Sequence, residues 1–225
     1  MGKVYRSPAD LDAQEISALY NGFDTPVTDL DCGPLCAAHN PSGKPFCCDI
    51  CHAVPAAYHS EWAFLEPRTN LWQRWRGDEC PSVRDPRADL DRLQAETPAS
   101  MTLLACLGPD RCQRDFRLLS CRQFPFFPYV TAEHQFLGLA YEWAFEGACW
   151  VISNLDKVQG TYRHQFIDTH DRLFALFDDE FENYAEHSAE MRDHFAAQRC
   201  RIPILHRDGG LVLVSPGSGR MRRVK

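Results

Sequence analysis

The sequence predicts an α+β protein: an irregular, cysteine-rich metal-binding core with a small sheet and a helical C-terminal part. Three observations favour this class. Residues 23–55 are rich in Asp, Pro, Gly and Cys and lack an apolar period, which is typical of irregular loops. Short apolar runs within 101–106 and 134–145 favour strands. Beyond residue 157, apolar side chains recur near a 3.6-residue spacing, which indicates helix.

The N-terminal half is predicted to contain short elements. Ser7 and Pro8 suit the start of a helix over residues 7–20, which Asn21-Gly22 would end. A second helix is predicted over 56–65, with a short one following it as far as Trp75. The charged stretch 81–97 fits a surface helix or an insertion.

The C-terminal part is predicted to contain a helical stretch followed by a β-hairpin. From about residue 157 to residue 198 we expect either one long helix or two helices that join near Ser188. In "IPILHRDGGLVLV" two short apolar runs flank Asp208-Gly209-Gly210, which indicates a β-hairpin. We expect one compact unit, with a cysteine-cluster region over 1–150 and the part over 151–225 packed on it.

Composition limits the classes of protein to consider. The chain has 225 residues, of which 44% are hydrophobic and 24% are charged, close to the average for globular proteins. A net charge of −7 disfavours nucleic-acid binding. We find neither a signal-peptide pattern nor the roughly 18 consecutive apolar residues of a membrane span. The prediction is a cytoplasmic protein that binds neither nucleic acid nor membrane.

Cysteine is the most informative residue type in this chain. There are 11 cysteines, and five of them fall within residues 31–52. The count is odd and export signals are missing, so a reducing compartment is expected, where a dense cluster indicates metal binding or catalysis rather than disulfides. A metal would also organise the long irregular loop, because ligation energy replaces the missing apolar burial.

Two groups of cysteines resemble a known family. The first group includes "FCCD" at 46–49, and the second spans "CLGPDRCQRDFRLLSCRQFPFFPY" at 106–129. This pattern, over about residues 31–130, resembles the cysteine-cluster family of zinc- or iron-chelating domains, with a distant likeness to flagellin lysine-N-methylases. The resemblance implies that seven cysteines bind metal: Cys32, Cys36, Cys47, Cys48, Cys106, Cys112 and Cys121.

Thiolate chemistry narrows the choice of metal. Thiolates are soft donors that suit zinc, copper(I) and iron–sulfur clusters. Four of them complete a tetrahedral zinc site or a [4Fe–4S] cluster. We therefore expect zinc or iron, with a 4Fe–4S cluster among the alternatives. Seven candidates exceed four, so either some of them do not ligate or the centre is polynuclear.

The remaining cysteines are assigned differently. Cys80 and Cys200 are interpreted as buried, inert thiols, a common role of cysteine in protein cores. Cys51 has no counterpart in the family pattern, and Cys149 stays open as a ligand or a core residue.

Other residues near the cysteines have alternative roles. His39, His52 and His59 could ligate, but each is more often a hydrogen-bonding or surface histidine. Arg122 could donate to an anionic cluster or substrate, or form an ordinary salt bridge. The aromatic run at 124–129 is predicted to shield the site.

Three functions follow from these observations. The first is a metal- or cluster-binding protein of unassigned activity. The second is a protein-modifying enzyme similar to a lysine N-methylase, although the sequence lacks a glycine-rich S-adenosylmethionine loop and assigns no catalytic residue. The third is a thiol–disulfide redox sensor that uses Cys47, Cys48 and Cys51. A metal ion is the expected partner, and a protein substrate or partner stays open.

Overall fold

The computed structural model describes residues 6–80 and 85–224, and it has the predicted α+β class. Its internal contacts group the chain into two units. The first unit comprises the chain up to Asn21 together with Asp31–Arg122, and the second comprises Gly22–Leu30 together with the chain from Gln123 onward. The division at Arg122 falls earlier than the predicted boundary at residue 150. Among the described residues, no helix combines the length and apolarity that crossing a bilayer requires.

The first unit combines short helices with a three-stranded antiparallel sheet of order β1-β3-β2. The strand predicted over 101–106 is confirmed as the central strand. Its first half pairs with β1 and its second half with β2. The elements are α1 (Ala13–Gly22), α2 (Cys32–Ala37), β1 (Ala56–Tyr58), α3 (His59–Leu65), β2 (Trp72–Arg74), α4 (Pro86–Glu96), β3 (Met101–Cys106) and α5 (Leu119–Gln123).

The first long helix begins later than predicted. A 3-10 turn occupies Pro8–Asp10, and α1 starts at Ala13. The reason is a better cap: Asp12 Oδ1 accepts from the backbone N–H groups of Gln14 and Glu15, while Glu15 Oε2 accepts from Asp12 N at 2.9 Å. This reciprocal capping box fixes the start of the helix.

The prediction for residues 56–75 was partly wrong. A helix is present, but it begins at His59 after strand β1, and the segment before Trp75 is strand β2 rather than a helix. Both strands pair with β3, and Trp72 and Trp75 are buried. Tertiary pairing therefore overrides the local helical spacing. The charged helix is confirmed as α4; residues 81–84 of that prediction lie outside the described residues.

The second unit is a five-stranded antiparallel sheet in the order β4-β5-β6-β7-β8, with two long helices. Gly138 lies where β5 meets β6 so closely that a Cβ would stand 2.2 Å from Leu205 O, so only glycine fits there. The hairpin around Asp208 is confirmed. The elements are β4 (Phe126–Val130), β5 (Phe136–Tyr141), α6 (Gly160–Leu176), α7 (Asp178–Ala197), β6 (Ile202–His206), β7 (Leu211–Val214) and β8 (Met221–Arg223).

The two long helices join at Phe177, not near Ser188 as predicted. Ser188 lies buried inside α7, where its Oγ accepts from Val130 N at 2.9 Å and donates to Tyr184 O at 2.6 Å. These bonds attach α7 to strand β4. A serine inside a helix therefore marks a contact with the sheet here, not the end of the helix.

The aromatic run at 124–129 forms most of β4. Phe126 packs beside the Tyr162 ring, with the centroids 6.1 Å apart, and Phe127 packs against Trp143 and His187. The side chains of Phe126, Phe127 and Tyr162 are almost fully buried in the core of the second unit. Core packing within that unit accounts for the run, whereas the sequence had predicted a shield for the thiols.

Candidate thiol centre

All seven cysteines of the predicted ligand set lie in the first unit. They are held on short elements rather than on long helices or strands. Cys32 and Cys36 are on α2, Cys47 and Cys48 on the 3-10 turn Phe46–Cys48, Cys106 at the end of β3, Cys112 after the 3-10 turn Pro109–Arg111, and Cys121 on α5.

A buried carboxylate organises the loop that carries the first group. Asp49 is only 5% exposed. Its Oδ2 accepts from Asn40 Nδ2 at 3.0 Å and from Ser42 Oγ at 2.7 Å, and its Oδ1 accepts from Cys51 N at 3.2 Å. These bonds close the loop on both sides of Cys47 and Cys48. The sequence analysis had assigned this organising role to a metal alone and had missed the Asp49 network.

The two groups of cysteines converge. The charge of Cys48, from the first group, reaches both Cys106 and Cys121, and the charge of Cys106 reaches Cys121. Cys36 in turn lies within electrostatic range of Cys32 and Cys48. Thiols far apart in sequence therefore lie within electrostatic range of one another. Cys48, Cys106 and Cys121 are the thiols through which the two groups interact.

A guanidinium lies among these thiols. Arg117 Nε donates to Cys112 Sγ at 3.0 Å. Its positive charge also acts on four other thiols of the set: Cys32, Cys48, Cys106 and Cys121. We call these seven cysteines and Arg117 the thiol centre.

Burial makes most of the centre's thiols reluctant to ionise. It raises the pKa of Cys121 far above the ordinary value, and it also raises the pKa of Cys32 and Cys106, because a buried thiolate loses its hydration. Cys48 differs. Its contact with Cys47, whose Sγ lies 3.8 Å from Cys48 Sγ, lowers the Cys48 pKa to about 7 against the opposing effect of burial. The pKa of Cys48 is thus lowered, whereas the pKa values of Cys32, Cys106 and Cys121 are raised.

The described residues contain no group of three or more His, Cys, Asp or Glu side chains arranged to hold a metal ion. Of the candidate histidines, His59 Nε2 lies 3.0 Å from Ala99 O, and His52 packs on the Phe46 ring near Asp49. His39 is exposed.

Cys51 and Cys80 form a disulfide, with their Cα atoms 5.5 Å apart. Cys80 is buried as predicted, but it is bonded and not a free thiol. It packs in a small apolar cluster with Trp75 and Leu103, against which Ile50 also lies. The disulfide thus attaches the end of the Cys47–Cys48 loop to that cluster. The sequence analysis had expected free thiols, because it placed the protein in a reducing compartment, and for this pair that expectation was wrong.

The last two cysteines belong to the second unit. Cys149 is buried there, and its N–H donates to Phe145 O at 3.0 Å. Cys200 is exposed, so its prediction as a buried thiol was wrong. It follows the end of α7, where the chain leaves the helix before β6.

Glu61 is a buried carboxylate that binds the start of the helix carrying Cys121. It is 1% exposed, and its Oε1 accepts from Tyr20 Oη at 2.7 Å and from Leu119 N at 2.8 Å. Leu119 begins α5, which carries Cys121. Burial raises the pKa of Glu61 to about 7. An acidic residue inside the apolar stretch "HSEWAFL" was the sequence signal for this buried carboxylate.

The Arg122 guanidinium donates hydrogen bonds to backbone carbonyls. Its Nε donates to Arg117 O at 2.9 Å, its Nη1 to Tyr20 O at 3.1 Å and its Nη2 to Asp115 O at 2.9 Å. The guanidinium also stacks on the Tyr20 ring, 4.3 Å from the centroid. Arg122 therefore holds the turn from which Arg117 extends.

Comparison with known proteins gave no match to a family model, to a curated protein or to a solved structure. The family resemblance stays a prediction from the cysteine pattern.

Proposed function

We propose that this protein binds zinc or iron, the latter as an ion or an iron–sulfur cluster, through thiolates of both cysteine groups, in the cytoplasm. The observation that carries the proposal is the convergence of Cys48, Cys106 and Cys121, which come from three separate elements. Thiolates that lie within electrostatic range of one another repel each other, so their charge is unfavourable unless a cation stabilises it.

The donor set fits a soft metal. Cys48, Cys106 and Cys121 would supply three thiolates, and Cys112 or Cys36 would supply the fourth. Binding would release the protons that burial holds on Cys106 and Cys121, so metal affinity should increase with pH. Zinc there would stabilise the short elements, whereas an iron–sulfur cluster would add electron transfer.

Elemental analysis of anaerobically purified protein tests the proposal. We expect bound zinc or iron, with visible absorbance if a cluster is present. Cys48→Ser and Cys121→Ser should lose the metal, while Cys200→Ser, a matched control in the second unit, should keep it. Full metal content in both centre variants would refute the ligand assignment, and metal-free wild-type protein would refute the proposed function.

A thiol–disulfide switch is the second candidate, favoured by the Cys51–Cys80 disulfide and by the closeness of the Cys47 and Cys48 sulfurs. Cross-linking residues 29 positions apart stabilises a fold by about 3–4 kcal/mol through loop entropy. Reduction by a dithiol would yield two protein thiols and one oxidised dithiol, and it would release the Cys47–Cys48 loop from the apolar cluster around Trp75.

Alkylation and mass spectrometry, with and without reductant, test this candidate. We expect Cys51 and Cys80 to be alkylated only after reduction, together with a clear fall in unfolding temperature. Alkylation of both thiols in freshly purified, unreduced protein would exclude the switch, since no disulfide would then be present to open.

A further inference from the structure

Arg117 is a partly buried cation with a distinctive set of partners. Its Nε–H points at Cys112 Sγ, 3.0 Å away. The ionisable groups that act on it include three thiols, those of Cys112, Cys48 and Cys121. Among the described residues, no carboxylate forms an ion pair with it. An arginine that served only to pack a surface loop would be expected to pair with Asp or Glu or to face water.

The backbone holds Arg117 in place from both sides. Its N–H donates to Arg114 O at 3.2 Å, which closes the 3-10 turn Arg114–Phe116, and its carbonyl accepts from Arg122 Nε at 2.9 Å. Arg122 is itself bonded to Tyr20 O. The guanidinium is therefore presented to the sulfurs by an anchored segment. Less backbone entropy therefore remains to be lost when it contacts a charged centre.

We propose that Arg117 is the positioning and charge-compensating residue of the thiol centre: it orients Cys112 and offsets the negative charge of the metal-loaded thiolates. The inference rests on the proposed function and deepens it. Four thiolates around a divalent ion carry a net double negative charge, which is costly to hold in a partly buried site. A guanidinium in contact with one sulfur and within range of the others reduces that cost.

Side chains that hydrogen-bond to metal ligands typically change metal affinity by about 10- to 100-fold when they are removed. Arg117→Gln removes the charge and the Nε geometry, whereas Arg117→Lys keeps the charge alone. Arg114→Gln is the matched control. Arg114 lies in the adjacent 3-10 turn and its side chain is exposed. Arg117 and Arg122 donate to its backbone carbonyl, which the substitution leaves in place.

The test measures how fast each zinc-loaded protein transfers its metal to a colorimetric chelator. Arg117→Gln should release zinc about 10-fold faster than wild type or more. Arg117→Lys should recover most of the loss, and Arg114→Gln should match wild type. Thermal unfolding of the metal-free proteins is followed in parallel, since a role in packing alone would lower that temperature without a charge-dependent rescue by Lys.

The outcomes separate the two proposals. If wild type loads zinc but Arg117→Gln releases it at the wild-type rate, the role of Arg117 is refuted and the metal centre stands. A loss that Lys does not rescue, accompanied by an equal fall in metal-free stability, also refutes charge compensation. If wild type takes up no metal, the proposed function fails and this inference fails with it.

Discussion

The two units of this chain are stabilised in different ways. In the second unit, fully buried rings such as Phe126, Tyr162 and Phe166 pack between a five-stranded sheet and two long helices. The first unit has a small sheet and relies on buried polar groups, Asp49 and Glu61, and on a disulfide. The unit with the less regular core is also the one that carries the seven cysteines of the predicted ligand set.

The largest expected effect lies in the aromatic core. Phe166 is fully buried on α6, with ring contacts to Phe23 and His170. Phe166→Ala should lower the free energy of unfolding by about 3–5 kcal/mol, because it leaves a cavity in a packed core. Leu176→Ala, on the same helix but 39% exposed, is the control and should cost much less. Equal losses in urea denaturation would mean that the second unit does not depend on this core.

The regular parts of the fold could be predicted because their apolar spacing repeats. The strand at 101–106, the hairpin at 202–214 and the helical stretch beyond residue 157 all carry such a repeat, and all are present. Strand β2 and the joint at Phe177 could not be predicted, since pairing with β3 and attachment of Ser188 to β4 are long-range contacts.

The seven cysteines of the predicted ligand set all lie in the first unit, but the sequence did not predict how they are held. Spacing and resemblance grouped the seven thiols that the structure places in one unit. The cation among them, Arg117, and the partner of Cys51 were missed. An arginine near a cysteine is common in any sequence, and only coordinates show that its charge faces sulfur.

In the first unit, titration of Glu61 should make the free energy of unfolding depend on pH. Burial raises its pKa to about 7 from an ordinary 4.5, so the folded protein keeps a proton that the unfolded chain releases. Rising pH between these values then favours unfolding, by up to about 3 kcal/mol. Glu61→Gln should remove this part of the pH dependence in urea denaturation. The exposed Glu66→Gln should leave it unchanged, and parallel curves for wild type and Glu61→Gln would refute the raised pKa.

His170 should give the opposite slope in the second unit. Burial lowers its pKa to about 4 from an ordinary 6.5, so unfolding takes up a proton between these values. Falling pH therefore favours unfolding, also by up to about 3 kcal/mol. Replacing this imidazole in His170→Gln should flatten the acidic limb of the stability curve, whereas His164→Gln, exposed on the same helix, should not. A limb that persists in His170→Gln would assign the acid sensitivity to other groups.

The smallest expected effect is at Cys200, and it tests the division of roles between the units. Its thiol is exposed, and its Sγ donates to Gln198 O at 3.5 Å. Cys200→Ser should change the free energy of unfolding by no more than about 0.5 kcal/mol, as expected for a surface position, and should leave the metal content unchanged. Denaturation and elemental analysis on the same sample check both. Loss of metal in this variant would mean that a thiol of the second unit takes part in the centre, and the contrast between a thiol unit and an aromatic unit would no longer hold.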